Sequence, residues 1–465
     1  MKTLINAMRK AHVHRTLAAT SLLTLSFLAI GLSSMAQQEM QYFRYNDKTG
    51  INVFETSKND TTSFNKMHVR VGGNFELTFQ NLNNKNTATP ETSPAYKGNI
   101  TSVESLTPGF VLPMANLNID VQLSDGIRMQ ITSYLASRHH EDAWVKGGYI
   151  QFDKLTFLHS DIVDNIMKSV TIKVGQYDVD YGDQHYRRSD GGNTIYNPFI
   201  ENYIMDEFAT EIGGEIYYHN KSGIFVMGGV TNGELDPTAL TPSKIDSATG
   251  QVNKYSPAFH GKLGFDKQLT EDFRFRLTGS FYTDKSASSN TLFGGDRTGS
   301  HYFYVMSNAA IAAGTTLSDA NDYNPFSGRL NPGFSEEVNT YMVNTLLKYK
   351  GLEFFGTYEN AKGRTISEVS QRQATQYAAD LIYRFPAKTE NFWIGARYNT
   401  VTAALDGYSS NVTIQREAGS IGWFLTRNIM AKFEYVNQVY MGYPANNILN
   451  GGKFYGYNLE ASIAF

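Results

Sequence analysis

At 465 residues the chain has room for two or three ordinary domains or one large β architecture. Its 29 Tyr, 29 Phe and 40 Gly against 12 Pro suit strands and tight turns better than long helices. The absence of cysteine excludes disulfide scaffolds, thiolate metal sites, cysteine nucleophiles and iron–sulfur clusters. With 41 basic and 44 acidic residues, a formal charge of −3, the chain lacks the basic excess of a nucleic-acid binder.

Residues 1–36 carry Lys2, Arg9, Lys10 and Arg15 and no acidic residue, then an apolar stretch over 17–32, then Ser33, Ser34, Met35 and Ala36. This is the pattern of a secretory signal peptide removed after Ala36. The alternative is a membrane anchor, but the apolar stretch is shorter than the ~18–20 residues of a spanning helix, and small residues follow it. Losing four positive charges from a total of −3 leaves a mature chain at −7. No later apolar run is long enough for a spanning helix, so the mature chain is either soluble or a closed barrel, the other structure that satisfies its backbone in lipid.

Residues 37–66 show no period up to about 63 and are expected to form a short periplasmic lead; the barrel is expected over 67–465. In the first predicted strand, 67–81, Val69, Val71, Phe75, Leu77 and Phe79 alternate with His68, Arg70, Asn74, Glu76, Thr78 and Gln80. Leu117, Ile119 and Val121 repeat the pattern over 112–123, and after the Ser124-Asp125-Gly126 turn so do Ile127, Met129 and Ile131. Further strands are expected near 144–157, 168–180, 206–219, 222–233, 256–267, 272–285, 338–350, 351–361, 373–386, 389–403, 411–425, 427–440 and 453–465. Each is close to the ~9–11 residues that cross a membrane when tilted, with some extension. Short connectors alternate with long polar ones at 82–111, 181–205, 233–255, 286–337 and 441–452, as turns and outer loops do in an up-and-down transmembrane barrel. The count is about 16; residues 301–312 are placed inside an outer loop, with an 18-strand barrel as the alternative. Aromatic girdles are expected from Phe281-Tyr282, Tyr383 to Phe385, Phe392-Trp393, Trp423-Phe424 and Tyr440.

The last strand sets Tyr455, Tyr457, Leu459, Ala461, Ile463 and Phe465 on one face. Here the chain resembles the terminal strand of bacterial outer-membrane barrels, which implies that Tyr457, Leu459, Ile463 and Phe465 form the signal read by the barrel-assembly machinery.

If the apolar faces meet lipid, the other faces line a lumen. Arg70, Arg128, Lys173, Lys262, Arg274, Arg276, Arg397 and Lys432 then point inward, with Glu76, Asp120, Glu211, Glu215, Glu353, Glu359, Glu434 and Glu460. Such a lining suits passive diffusion of small hydrophilic solutes with a mixed, modest ion preference; alternatively the charges pair with one another and plug the interior. The connector 181–205 holds Asp183, Tyr186, Arg187, Arg188 and Asp190 and is expected to fold inward as a constriction, where paired arginines suit anions; the alternative is an outward loop whose arginines pair with its own aspartates. His139, His140, Glu141 and Asp142 do not have the helix-borne spacing of a metal site, and no nucleophile elbow, phosphate loop or dinucleotide fingerprint occurs in a fitting context, so no cofactor, metal or catalytic residue is expected.

The run VTIKVGQYDVDYGDQ from Val170, the stretch KGLEFFGTYENAKGR from Lys350, and QYAADLIYRF followed by ENFWIGARYN resemble outer-membrane porins of the phosphate-selective (O and P) type. The resemblance implies a 16-stranded, trimeric porin with an inward loop, in the outer membrane of a Gram-negative bacterium; a preference for anions or phosphate stays open, and phosphate selectivity is not carried over. No individual phosphate-binding residue can be matched, and the lumen carries both signs. A closed barrel serving as an adhesin or structural protein, and a barrel-resident enzyme, are the rival readings.

Overall fold

In a computed structural model, residues 39–93, 96–135, 143–234, 242–287, 289–294, 301–308 and 328–465 are described. The signal peptide expected over 1–36 and the His139 to Asp142 cluster lie outside them. Residues 41–465 pack as one unit.

Period-two alternation dictates the architecture. Sixteen antiparallel strands pair each with its chain neighbours and close into a barrel. They are β1 (His68–Lys85), β2 (Gly109–Ser124), β3 (Ile127–Leu135), β4 (Ala143–Phe152), β5 (Val170–Asp178), β6 (Thr210–His219), β7 (Ile224–Thr231) and β8 (Ala258–Gln268). The second half comprises β9 (Phe273–Asp284), β10 (Glu337–Tyr349), β11 (Leu352–Arg364), β12 (Arg372–Phe385), β13 (Phe392–Ala403), β14 (Val412–Phe424), β15 (Ile429–Met441) and β16 (Lys453–Ala464). The seam joins β1 to β16, with Phe75 opposite Ile463 and Phe79 opposite Leu459. It is finished by reciprocal backbone bonds of 3.0–3.1 Å between Phe465 and Gly73. A closed sheet has no unpaired edge, so every wall amide is satisfied without solvent.

Along β13, Phe392, Ile394 and Tyr398 face outward and exposed, while Trp393, Arg397 and Asn399 face inward and buried. The other strands repeat this inverted distribution, apolar outside and charged inside, which suits a lipid surround. An outer ring of Tyr341, Tyr358, Tyr377, Tyr398, Tyr435 and Tyr457 and an opposite ring that includes Tyr383, Phe385, Phe392 and Trp423 flank the apolar band. Four of the expected girdle residues are not in it. Tyr282, Trp393, Phe424 and Tyr440 sit one position off the outward register and are buried inside.

One end of the barrel carries short turns. Gly126 in the β2–β3 turn adopts φ 71°, and a Cβ there would lie 2.4 Å from the Lys154 side chain. A longer excursion at the same end was not anticipated. The strand expected over 144–157 stops at Phe152, and the chain forms a short helix, Asp161–Met167, capped by the Ser160 hydroxyl before β5 begins. At the long-loop end, residues 301–308 form no strand, only a bridge from Asn308 to Val103. The barrel therefore closes at sixteen strands, and the 18-strand alternative falls.

Candidate functional site

Residues 179–209, between β5 and β6, fold into the barrel. Almost all of this segment is buried, including Ile195, Tyr196, Phe199, Ile200, Ile204 and Met205. It has no strand partner, so its backbone donors are satisfied by polar side chains of the wall. Gly182 N donates to Ser280 Oγ (3.0 Å), Asp183 N to Asn344 Oδ1 (2.9 Å), Ile204 N to Asn399 Oδ1 (2.6 Å) and Met205 N to Gln376 Oε1 (2.9 Å).

A second segment crosses the short-turn end. Residues 41–62 form a closed loop whose ends meet, with Gln41 Nε2 donating to Thr62 O at 2.8 Å and the Tyr42 amide bonding the Asp60 carboxylate. The loop runs from the β2–β3 turn, where Gln41 Oε1 accepts from Gly126 N at 2.7 Å. It reaches the opposite wall, where Lys48 N donates to Arg427 O at 2.8 Å. On its return Asn52 Nδ2 donates to Glu353 Oε2 (2.7 Å), Glu55 pairs with Arg276 (2.8 Å) and Lys262 (3.2 Å), and Lys58 pairs with Asp153 (3.1 Å). The sequence reading takes 37–66 as a short lead into the first strand without period; residues 41–62 of it form a strap across the barrel.

Between strap, inward loop and the wall of β3–β6 a cavity of about 250 Å³ remains, lined by charged and aromatic side chains. The strap supplies Phe43, Arg44 and Glu55, the wall Arg128, Tyr134, Lys146, Tyr149 and Lys173, and the loop Asp180, His185 and Tyr186. Its charges are unequally compensated. Glu55 is held by Arg276 and Lys262, and Asp180 by Lys262 and by His185 Nε2 at 2.8 Å. His185 also faces Asp178 at 3.4 Å; burial alone would lower its pKa, but hydrogen bonds to Asp178 and Asp180 outweigh that and raise it, favouring the cation. Lys173 pairs with Glu215 at 3.0 Å. Arg128, by contrast, donates to Gln151 Oε1 (2.6 Å), and Arg44 donates to the carbonyls of Gly50 (3.0 Å) and Tyr186 (2.9 Å). Neither guanidinium forms a contact ion pair among the described residues; Asp120 and Asp153 act on Arg128, and Glu55 on Arg44, only through space.

Of the expected lining residues, Arg128 and Lys173 border this cavity, as does Tyr186 of the expected constriction set. Asp183, Arg187 and Arg188 do not. Asp183 binds Arg276 at 2.7 Å and Thr278 at 2.9 Å, Arg187 binds Glu353 of the wall at 2.7 Å, and Arg188 holds Asp206 through two bonds of 2.8 Å. Both arginines are buried and fix the loop, Arg187 to the wall and Arg188 to the loop's own Asp206. The remaining lining residues are also engaged with neighbours inside the barrel: Arg70 with Asp120 (3.3 Å), Arg397 with Asp380 (2.7 Å), Lys262 with Asp180, Arg274 and Arg276 with Asp266, Lys432 with Glu460 (2.9 Å), Glu211 with the Tyr282 hydroxyl (2.7 Å), and Glu76 with the Thr194 hydroxyl.

Sequence reasoning missed Lys146, Arg44, Tyr149 and His185. Lys146 is the extra, unpaired residue of a bulge in β4 opposite Thr132 and Ser133, which interrupts strict alternation, and Arg44 lies where no period exists. Glu76, His301 and Glu460 are a group whose donor atoms lie within 4.8 Å of one another, as metal ligands would. Lys432 already contacts Glu460 at 2.9 Å and His301 Nε2 approaches it at 2.8 Å, so groups of the protein itself already occupy the Glu460 carboxylate.

No protein-family model matches the chain, and no curated protein sequence is similar to it. Solved structures similar to it include OmpT, an outer membrane protein of Vibrio cholerae (10% identity, 87% of this chain and 99% of that one, TM-score 0.47). Others are the outer membrane channel DcaP of Acinetobacter baumannii (12%, 87% and 99%, 0.47) and an anion-selective porin from Comamonas acidovorans (10%, 86% and 100%, 0.47). The fold class of this chain rests on its own strand pairing.

Proposed function

We propose that the chain is a porin of the outer membrane of a Gram-negative bacterium, through which small hydrophilic solutes diffuse passively with a preference for anions. The observation that carries this reading is the cavity against β3–β6, bordered by strap and loop and faced by Arg44 and Arg128, whose direct hydrogen bonds go to neutral groups. Mechanistically there is no chemical step: an anion exchanges part of its hydration for guanidinium, ammonium and phenol groups and leaves at the other end. The mixed lining argues for a modest preference over a dedicated phosphate site, although the resemblance to phosphate-selective porins keeps inorganic phosphate among the anions to be tried. Lipid, the barrel-assembly machinery and two further copies of the chain are the proposed partners.

Recording single-channel conductance and reversal potential of the mature protein in a planar bilayer tests the reading. Stepwise openings with an anion-directed potential support it. A correctly inserted barrel without openings favours instead a closed adhesin or structural barrel. One observation speaks for that second reading: the inward loop and strap bury most of the charged lining in pairs.

A further inference from the structure

We infer that the strap, residues 41–62, is a selectivity element of the pore, and that Arg44 on it is a specificity-determining residue facing Arg128 and Lys173. The inference rests on the porin reading and adds to it a constriction at the short-turn end, opposite the one expected from the inward loop.

Three observations carry it. The strap is built into the barrel: its side chains and backbone bond the turns or wall at Gly126, Asp153, Arg276, Glu353 and Arg427, which surround the opening. A segment tied at so many points around a ring narrows that ring. Next, strap residues Phe43, Arg44, Asn46, Phe54, Glu55 and Thr56 border the remaining cavity, so any solute using it passes them. Finally, the two ionic side chains the strap places there are unequal. Glu55 is neutralised by Arg276 and Lys262. Arg44 is held by neutral groups, the carbonyls of Gly50 and Tyr186 and the ring of Tyr196, whose centroid lies 4.0 Å from its guanidinium carbon. A guanidinium fixed in position but not neutralised is what an anion-selective constriction needs.

Because the strap's ends touch, residues 44–58 can be replaced by two glycines with little demand on the entry to β1. In planar bilayers this excision is expected to raise single-channel conductance by about twofold or more, and Arg44→Glu in the full chain to move the reversal potential toward cations at nearly unchanged conductance. If the excised chain does not fold, as judged by heat-modifiable migration, Asn46→Cys in this cysteine-free chain replaces it: a bulky charged thiol reagent should then reduce the current. Channels that conduct, but in which Arg44→Glu leaves the potential unchanged and neither excision nor thiol labelling alters the current, overturn the strap's role and leave the porin reading intact. A silent native protein that opens on excision supports the strap as the closing element. Silence of both the native and the folded excised chain overturns the porin reading itself.

Discussion

At the residue scale, a charge inside this barrel acts according to whether it has a partner. Arg187 and Glu353 are both buried, and their pair ties the inward loop to β11. Arg187→Ala is therefore expected to destabilise the loop, toward the lower end of ~3–5 kcal/mol because Arg384 also serves Glu353, and to leave ion preference nearly unchanged. Thermal unfolding beside reversal potentials separates those two effects. For Arg128→Ala the expectation is reversed: a cation-ward shift in reversal potential with less loss of stability, since it donates to a neutral amide, Gln151. His301 makes a third case. Burial would lower its pKa, yet the carboxylates of Glu76, Glu460 and Glu201 outweigh burial and Lys432 nearby, and hold it at about 9. A raised folded-state pKa gives stability that is complete below the ordinary imidazole value of ~6.5 and is lost as pH rises through about 9. Between pH 7 and 10 the unfolding temperature should fall, and His301→Gln should remove that component; an identical pH profile in both chains would refute it.

Elements differ in how far local pattern determines them. Strand β16 alternates without interruption, and its outward residues Tyr457, Leu459, Ile463 and Phe465 are the ones proposed as the assembly signal. Phe465 is half exposed, and its main contribution to the fold is through its backbone bonds to Gly73. Its replacement by Ala should thus slow insertion into membranes far more than it lowers the stability of the finished barrel, which pulse-labelled assembly and unfolding would show separately. The inward loop and the strap, by contrast, have no period. What holds them is a set of single contacts to side chains far away in sequence, Asn399, Gln376 and Asn344 for the loop and Glu353 and Arg276 for the strap.

For the whole molecule, the wall is uneven. Strands β3–β7 have 8 to 10 residues, against 12 to 14 for β9–β16. At a rise of about 3.3 Å and a tilt of about 40°, eight residues span only ~20 Å, less than the ~25 Å of an outer-membrane apolar band. The tyrosine ring of β10–β16 also has no counterpart at the long-loop end of β3–β7 among the described residues. Both features fit a wall covered by another copy of the chain rather than by lipid. In the homotrimer we propose, a photo-cross-linking side chain in place of Val226 on β7 should capture an adjacent copy, whereas one in place of Ile394 on β13 should not.

From the sequence alone came the barrel, a count of about sixteen strands with eighteen still open, the inward direction of its charged residues and a connector long enough to fold into it. These follow from period-two alternation and turn chemistry, which act between residues close in the chain and need no knowledge of what lies across the lumen. Tertiary structure decided which charges remain unpaired. Arg187 and Arg188 looked like pore residues by composition, but they pair with Glu353 and Asp206, each of which a second arginine also holds, while Arg44, in a stretch without pattern, stands at the cavity. Pairing of buried charges depends on distances between segments far apart in the chain, and alternation along one strand carries no record of them.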